Sequence, residues 1–306
     1  MLQLNNISKS FNEVQALKDI TFEVKKNELF GLIGPDGAGK TTLFRIITTL
    51  LLPNNGNAFV NGFDTVKDYK EIRKITGYMP GRFSLYQDLT VEENLKFYAT
   101  VFGTNIKKNY HLIEDIYSHI EPFKKRLAGK LSGGMKQKLA LSCALIHKPE
   151  ILVLDEPTTG VDAVSRAEFW QMLKNLQHKG ITIIVSTPYM DEAMLCDRVG
   201  LIQNGNIFTI DQPDNIVNSF EKQLWAVKAD NNKFKLITDL RNHPNVESAF
   251  AFGENIHVSL HDNKQEIKTL EEYLSEQGNQ KVVIKQTKAG IEDVFLHFSQ
   301  QNSVTQ

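Results

Sequence analysis

Cysteine is scarce in this 306-residue chain, and so are the other signs of a secreted protein. The two cysteines, Cys143 and Cys196, are far apart and lack the spacing of metal ligands. We therefore expect two packing residues in a reducing compartment and no disulfide framework. The first ten residues mix polar and apolar side chains without a continuous apolar core, so we expect no signal peptide.

An excess of charge of one sign is also missing, as are long hydrophobic runs. The chain has 35 Lys and Arg against 36 Asp and Glu, and no basic arm stands out, which argues against a nucleic-acid partner. The longest apolar runs, such as residues 181–185, fall far short of the ~20 residues of a membrane-spanning helix. If the protein serves a membrane process, we expect it to do so through partner chains.

What the chain does contain is the composition of a globular protein, with 41% hydrophobic and 23% charged residues. The length suits one large or two ordinary domains. Apolar and polar residues alternate in two runs over residues 2–24, which predicts a pair of antiparallel strands. Short continuous apolar runs predict buried strands of a parallel sheet. Apolar periodicity and caps predict helices over 90–98, about 107–121 and about 163–178. A further predicted helix follows residues 131–135 and ends at residue 145. Asn204 and Gly205 predict a hairpin turn.

The strongest single feature is a glycine-rich segment between the apolar run 29–33 and the helical pattern 43–47. Its members are Gly34, Pro35, Asp36, Gly37, Ala38, Gly39, Lys40, Thr41 and Thr42. The spacing G-x-x-x-x-G-K-[ST] is that of the phosphate-binding loop, whose amides point at phosphate at a helix N-terminus. In this motif Lys40 reaches the β- and γ-phosphates and Thr41 offers its hydroxyl to Mg²⁺. The alternative is a glycine-rich turn without a ligand.

Two further segments carry chemistry. The buried run 151–154 ends in Asp155 and Glu156, and carboxylates at the carboxyl end of such a strand lie where α/β sheets bind ligands. The alternative is a pair of solvated loop acids. Residues 131–134 read Leu-Ser-Gly-Gly and lead into the helix that ends near residue 145.

The composition changes after about residue 220. The predicted order there is strand, helix, two strands, helix, strand and helix, at residues 224–227, 234–243, around Gly253 and Glu254, 265–277, 282–284 and 291–299. This βαββαβ order is the ferredoxin-like pattern, so we predict a small separate α+β domain over 221–306. No stretch of it carries a catalytic motif.

The phosphate loop, the Leu-Ser-Gly-Gly segment and the Asp155-Glu156 pair together resemble the ATP-binding cassette (ABC) family over roughly residues 1–220. The resemblance implies an α/β P-loop NTPase domain with antiparallel β and helical subdomains, and ATP and Mg²⁺ as cofactors. It further implies that Asp155 holds Mg²⁺ through water and that Glu156 is the general base. Phe11 falls where the family stacks an aromatic ring on adenine, although an ordinary core aromatic remains the alternative.

The resemblance also implies a dimer. Ser132, Gly133 and Gly134 would contact the γ-phosphate bound by the opposite subunit, and Asp162 matches the loop that crosses the dimer interface. ATP would then hold two ABC ATPase subunits together, and hydrolysis would release them. Coupled to membrane subunits, this cycle would place the protein at the cytoplasmic face of the cell membrane.

Two positions depart from the family pattern. Gly81 stands where the family usually has a glutamine near Mg²⁺, and Gln87 is too far along the chain to be assumed a substitute. Pro188 stands where the family usually has a histidine on the γ-phosphate. We therefore expect slow hydrolysis in the chain's own site. The Gly-Pro-Asp-Gly loop and the missing histidine resemble the first ATPase half of bacterial drug-type exporters in which two unequal halves are fused. Together with the appended C-terminal domain, this indicates export with separate ABC-2-type membrane permease subunits.

Three hypotheses remain open at this point. The leading one is an ATPase subunit of such an exporter, in a homodimer or a heterodimer. The second is a regulatory subunit that binds ATP and dimerises with little turnover of its own. The third, a soluble cassette ATPase of translation or DNA repair, is disfavoured by the single cassette, the missing coiled-coil insertion and the lack of a basic surface signal.

Overall fold

A computed structural model describes residues 1–82, 84–230, 232–261 and 267–303 of the chain. By its internal contacts the chain divides into two units, Met1–Pro213 and Asp214–Gln306. The domain boundary predicted from the sequence lies a few residues later, at 220–221. Each unit is described by itself below.

The first unit is an α/β structure with two sheets. Its strands are β1 (Leu2–Phe11), β2 (Val14–Val24), β3 (Leu29–Ile33), β4 (Asn55–Val60), β5 (Phe63–Asp64), β6 (Thr76–Met79), β7 (Ile151–Asp155), β8 (Thr182–Thr187), β9 (Arg198–Gln203) and β10 (Asn206–Asp211). Its α-helices are α1 (Lys40–Ile47), α2 (Tyr69–Ile75), α3 (Val91–Val101), α4 (Ile106–Tyr117), α5 (Gly133–Leu145) and α6 (Ala163–His178). Short 3-10 helices span Glu121–Phe123, Ala128–Lys130 and Met190–Leu195, and α7 (Pro213–Asn218) follows at the division.

The larger sheet has the order β10-β9-β3-β8-β7-β6, and only β10 pairs antiparallel to its neighbour. Strands β3, β7 and β8 are buried along their whole length, as expected for parallel strands covered on both faces. Because β3 and β7 both pair parallel with β8, their carboxyl ends lie at the same edge of the sheet. The loops that follow β3 and β7 therefore start close together.

The smaller sheet is antiparallel with the order β2-β1-β4-β5, and it confirms the predicted pair over residues 2–24. Helix α1 contacts strands of both sheets and buries Leu43, Phe44, Ile46 and Ile47. The rings of Phe22 and Phe30, one from each sheet, stack with centroids 5.1 Å apart. One continuous apolar core thus joins the two sheets around α1.

The helical part of the first unit largely follows the prediction. Thr90 and Glu93 form the expected capping box at the start of α3, and α6 has the predicted bounds. Helix α4 ends at Tyr117, before the predicted end at residue 121, and Pro122 lies in the first turn of the separate 3-10 helix Glu121–Phe123, where its missing N–H is tolerated. No helix among the described residues is long and apolar enough to cross a membrane.

The second unit is an α+β structure. Its elements are β11 (Leu224–Lys228), α8 (Lys233–Asn242), β12 (Val246–Phe252), β13 (Asn255–Leu260), α9 (Ile267–Glu276), β14 (Val283–Thr287) and α10 (Ile291–Ser303). The antiparallel sheet order β12-β13-β11-β14 is the ferredoxin-like arrangement. The first two residues of the helix predicted over 265–277 lie outside the described residues.

The two faces of this second sheet have different partners. Ile256 and Val258 of β13 point into the apolar core shared with α8 and α9. His257 lies between them and therefore points to the opposite face. Its Nδ1 atom lies 2.8 Å from Oδ1 of Asp293, which places α10 on that face.

The capping box of α3 is open to a direct test. Replacing Thr90 by alanine removes the hydroxyl that accepts the Glu93 amide at 3.2 Å and that contacts the Glu93 carboxylate. We expect a cost of about 1 kcal/mol, and hence roughly fivefold faster amide hydrogen exchange in the first turn of α3. Mass spectrometry of α3 peptides measures this. Thr100→Ala is the matched control, since Thr100 is an exposed threonine later in the same helix and should leave the exchange unchanged.

Candidate nucleotide-binding site

The glycine-rich loop leaves the centre of the larger sheet, at the carboxyl end of β3. The amide of Gly34 donates to the carbonyl of Thr187 at 3.3 Å, which ties the start of the loop to the end of β8. The amide of Ala38 donates to the carbonyl of Pro35 at 3.2 Å and closes a tight turn. The predicted order of strand, turn and helix is therefore present, with α1 starting at Lys40.

Gly39 is required at the junction between the loop and α1. Its φ of +105° lies in the left-handed region, and a Cβ atom here would lie 2.5 Å from the carbonyl oxygen of Ala16. As the N-cap of α1, Gly39 brings no side-chain acceptor to the first amides of the helix. These amides and the helix dipole leave the loop suited to an anion such as phosphate.

The ammonium group of Lys40 gathers the site around it. It is buried and donates to the carbonyl oxygens of Gly34 and Pro35 at 2.8 and 2.9 Å. It also forms an ion pair with Oε1 of Glu156 at 3.0 Å. A buried cation needs such partners, since it has lost its hydration. The glycine-rich loop and Glu156 were predicted from separate segments, and both contact the ammonium group of Lys40.

Ser186 at the end of β8 holds both carboxylate residues in place. Its hydroxyl donates to Oδ1 of the buried Asp155 at 2.7 Å, and its carbonyl accepts the amide of Glu156 at 3.1 Å. Glu156 has a φ of +48°, which is uncommon for a residue with a side chain and often marks functional sites. No role of Ser186 was predicted from the sequence, because its two partners lie about 30 residues away along the chain and meet it only in the sheet.

A cavity of about 470 Å³ opens beside these groups. It is lined by Thr41, Arg45, Tyr78, Pro80, Gly81, Arg82, Asp155 and Glu156. The Thr41 hydroxyl and the Asp155 carboxylate are hard oxygen ligands of the kind that Mg²⁺ prefers, so both residues fit the expected magnesium site.

Three polar side chains of this wall were not predicted from the sequence: Arg45, Tyr78 and Arg82. Arg45 could have been found, because it follows Thr41 by four positions on the same helix and so shares its face. Its side chain hydrogen-bonds to the Tyr78 hydroxyl, whose pKa is raised to about 12, first by burial and then by the charge of Asp155.

The two departures from the family pattern have structural counterparts. A Cβ atom at Gly81 would lie 2.9 Å from the carbonyl oxygen of Asp155, so the backbone itself occupies the space that a side chain would need. Pro188 directly follows β8 and has neither an amide N–H nor a side-chain donor. The amide after it, from Tyr189, donates back to the Thr187 hydroxyl at 3.0 Å.

The Leu-Ser-Gly-Gly segment lies next to the start of α6. Ser132 is the N-cap of α5 and accepts the Met135 amide at 3.4 Å. A Cβ atom at Gly134 would lie 2.7 Å from Oγ of Ser165, and one at Gly133 would lie 3.5 Å from the Gly160 carbonyl. None of these three signature residues is among those that line the 470 Å³ cavity.

Two other predicted residues, Asp162 and Phe11, are not among those that line the cavity. Asp162 caps α6 by accepting the Ser165 amide at 3.0 Å, and that bond holds the pKa of its carboxyl below the usual value. Phe11 lies at the end of β1 with 46% of its surface exposed. Its strand pairs with β2, and the carbonyl of Ala16 in β2 approaches Gly39. The exposed ring thus belongs to the hairpin that packs on the phosphate loop.

The chain is similar in sequence to a known protein family and to several curated proteins. The ABC transporter family profile matches residues 17–159. The probable multidrug ABC transporter ATP-binding protein YbhF of Escherichia coli (strain K12) is 37% identical over 304 residues, 97% of this chain and 51% of that protein. The chain therefore spans about half the length of this curated relative.

Shorter relatives are covered more completely. The linearmycin resistance ATP-binding protein LnrL of Bacillus subtilis (strain 168) is 37% identical over 214 residues, 69% of this chain and 68% of that protein. The Nod factor export ATP-binding protein I of Rhizobium etli is 34% identical over 220 residues, 71% of this chain and 70% of that protein.

A solved structure agrees with the fold. It is the dimeric post-hydrolysis state of an ATP-binding cassette bound to ADP and Pi, with a TM-score of 0.62 and 26% identity over 69% of this chain and 98% of that one. With the phosphate loop, its buried lysine and the paired carboxylates in place, these matches show that the chain belongs to the ABC transporter family.

Proposed function

We propose that this chain is the ATP-binding subunit of an ABC exporter with ABC-2-type membrane permease subunits. The observation that carries the proposal is the convergence of Lys40, Glu156 and the Gly34 and Pro35 carbonyls next to a cavity lined by Thr41 and Asp155. The names of three relatives, which concern multidrug transport, linearmycin resistance and Nod factor export, support an export role.

The geometry suggests how the chain would act on ATP. Lys40 would exchange Glu156 for the phosphate oxygens, which frees the Glu156 carboxylate to polarise a water molecule as general base. Thr41 and Asp155 would hold Mg²⁺, which supplies charge neutralisation at the phosphates. Phe11 would stack on the adenine ring. Phosphoryl transfer depends mainly on such positioning and charge stabilisation, and these residues can provide both.

The proposal includes a second ABC ATPase subunit. Ser132, Gly133 and Gly134 are separate from the cavity of their own chain, so they are available to complete the site of a partner across a dimer interface. The similarity to a dimeric cassette supports this arrangement. The assembly would lie at the cytoplasmic face of the cell membrane, bound to the permease subunits.

The two sites of the dimer would differ in rate. Gly81 and Pro188 supply no side-chain donor to this chain's own site, and loss of one donor aimed at developing charge typically costs about 10²–10³ in rate. Since Glu156 is retained, some turnover should remain. A heterodimer in which the partner carries the fast site accounts for both facts, whereas a mainly regulatory subunit with little turnover is the alternative that these two positions favour.

The first test of the proposal is Lys40→Ala. We expect this change to abolish ATP binding, because it removes the buried charge that faces the phosphates. Calorimetric titration of the purified chain with Mg-ATP measures the affinity. Lys67→Ala, at an exposed lysine outside the cavity, is the control and should bind as the unaltered chain does. Unchanged affinity in Lys40→Ala would rule out the loop as the phosphate site.

The second test compares the two sites in the reconstituted complex. Ser132→Arg should nearly abolish ATPase activity, because a bulky cation at the N-cap of α5 would block the partner's site. Glu156→Gln should reduce the activity only modestly, since it affects the slow site. If Glu156→Gln proves the more damaging change, the asymmetric arrangement is wrong, and a homodimer that hydrolyses at its own sites becomes the better account.

The third test concerns the second unit. We propose that it regulates the cassette or stabilises the dimer and takes no part in catalysis, because all of the site residues named above lie in the first unit. A chain ending at residue 220 should bind ATP within a few-fold of the full-length affinity. Circular dichroism checks that the shortened chain is folded. A folded but non-binding truncation would contradict the prediction.

A further inference from the structure

The cavity beside the phosphate loop is lined by charged groups of both signs. Two carboxylates, Asp155 and Glu156, line it together with two guanidinium groups, Arg45 and Arg82. Lys40 contributes its charge from the buried side, through Glu156. The terminal phosphate of a nucleoside triphosphate brings further negative charge next to these carboxylates, so it needs cationic donors on the open side of the cavity.

The segment after β6 forms that open side. Pro80 and Gly81 line the cavity but bring no side-chain donor, and the close approach of Gly81 to the Asp155 carbonyl leaves no room for one there. The next residue, Arg82, is the first in the segment with a side chain that can donate hydrogen bonds. A guanidinium group can donate two parallel hydrogen bonds to two oxygens of one phosphate.

The two arginines of the cavity differ in their engagement. Arg45 hydrogen-bonds to the hydroxyl of Tyr78. Arg82 is exposed, and no hydrogen bond or ion pair joins it to any other described residue. Among the described residues its guanidinium group therefore has no hydrogen bond or ion pair to break before it meets an anion, whereas Arg45 would have to give up Tyr78.

We propose that Arg82 binds the γ-phosphate of ATP in this chain's own site and supplies the side-chain donor that Gly81 cannot. The inference rests on the proposed nucleotide-binding function and adds a residue to it. It also gives the site a way to distinguish nucleoside triphosphate from diphosphate, because the β-phosphate remains with Lys40 and the amides of α1 while the γ-phosphate reaches Arg82.

The test compares the affinity for a non-hydrolysable triphosphate, AMP-PNP, with the affinity for ADP in the full chain. Arg82→Ala should weaken AMP-PNP binding about tenfold, the effect of losing one partly exposed charge-assisted hydrogen bond, and should leave ADP binding within about twofold. Arg82→Glu should weaken AMP-PNP binding further, and Arg82→Lys should restore part of it. Arg126→Ala, at an exposed arginine outside the cavity, is the control.

The ADP measurement separates this inference from its foundation. If Arg82→Ala leaves AMP-PNP affinity unchanged, or weakens AMP-PNP and ADP equally, Arg82 does not bind the γ-phosphate, and the proposed nucleotide site stands without it. If the unaltered chain binds neither nucleotide, the proposed function itself fails, and this inference fails with it. A selective loss of AMP-PNP affinity that Arg82→Lys partly reverses would support the inference.

Discussion

The buried ammonium group of Lys40 is the contact on which the site depends. It needs three oxygen partners in a place that water does not reach, and these partners come from the start of the loop and from the end of β7. The three oxygen atoms can meet only if β3 and β7 end at the same edge of the sheet. Their parallel pairing with β8, which lies between them, ensures this. The loop conformation also needs glycine at position 39, since any side chain there would collide with the carbonyl oxygen of Ala16.

Ser186 extends this arrangement to the strand between β3 and β7. By its hydroxyl and its carbonyl it fixes Asp155 and turns Glu156 towards Lys40, so one residue orients both acids. Gly81 and Pro188 lie at this edge of the sheet too, because they follow the carboxyl ends of β6 and β8. The chain keeps the residues that we propose to bind phosphate and polarise water, but Gly81 and Pro188 bring no side-chain donor to this edge.

The second unit is built on different principles. Its antiparallel sheet has α8 and α9 on one face and α10 on the other, and its buried residues are mainly apolar. The alignment with YbhF of Escherichia coli covers 97% of this chain, so the sequence similarity extends from the first unit into the second. Its polar contacts, such as that between His257 and Asp293, join elements within the unit.

The local sequence determined the features that depend on neighbouring residues. Turn and cap chemistry set the phosphate loop, the capping box at Thr90 and the bounds of α6, and alternation predicted the paired strands at the start of the chain. Short α2 was missed, because its seven residues bury only Ile72 and show no apolar period. Only the tertiary structure brought Ser186 onto Asp155, Glu156 onto Lys40 and Arg82 into the cavity. These contacts join residues far apart in sequence, and spacing along a chain does not encode which strand ends become neighbours in a sheet.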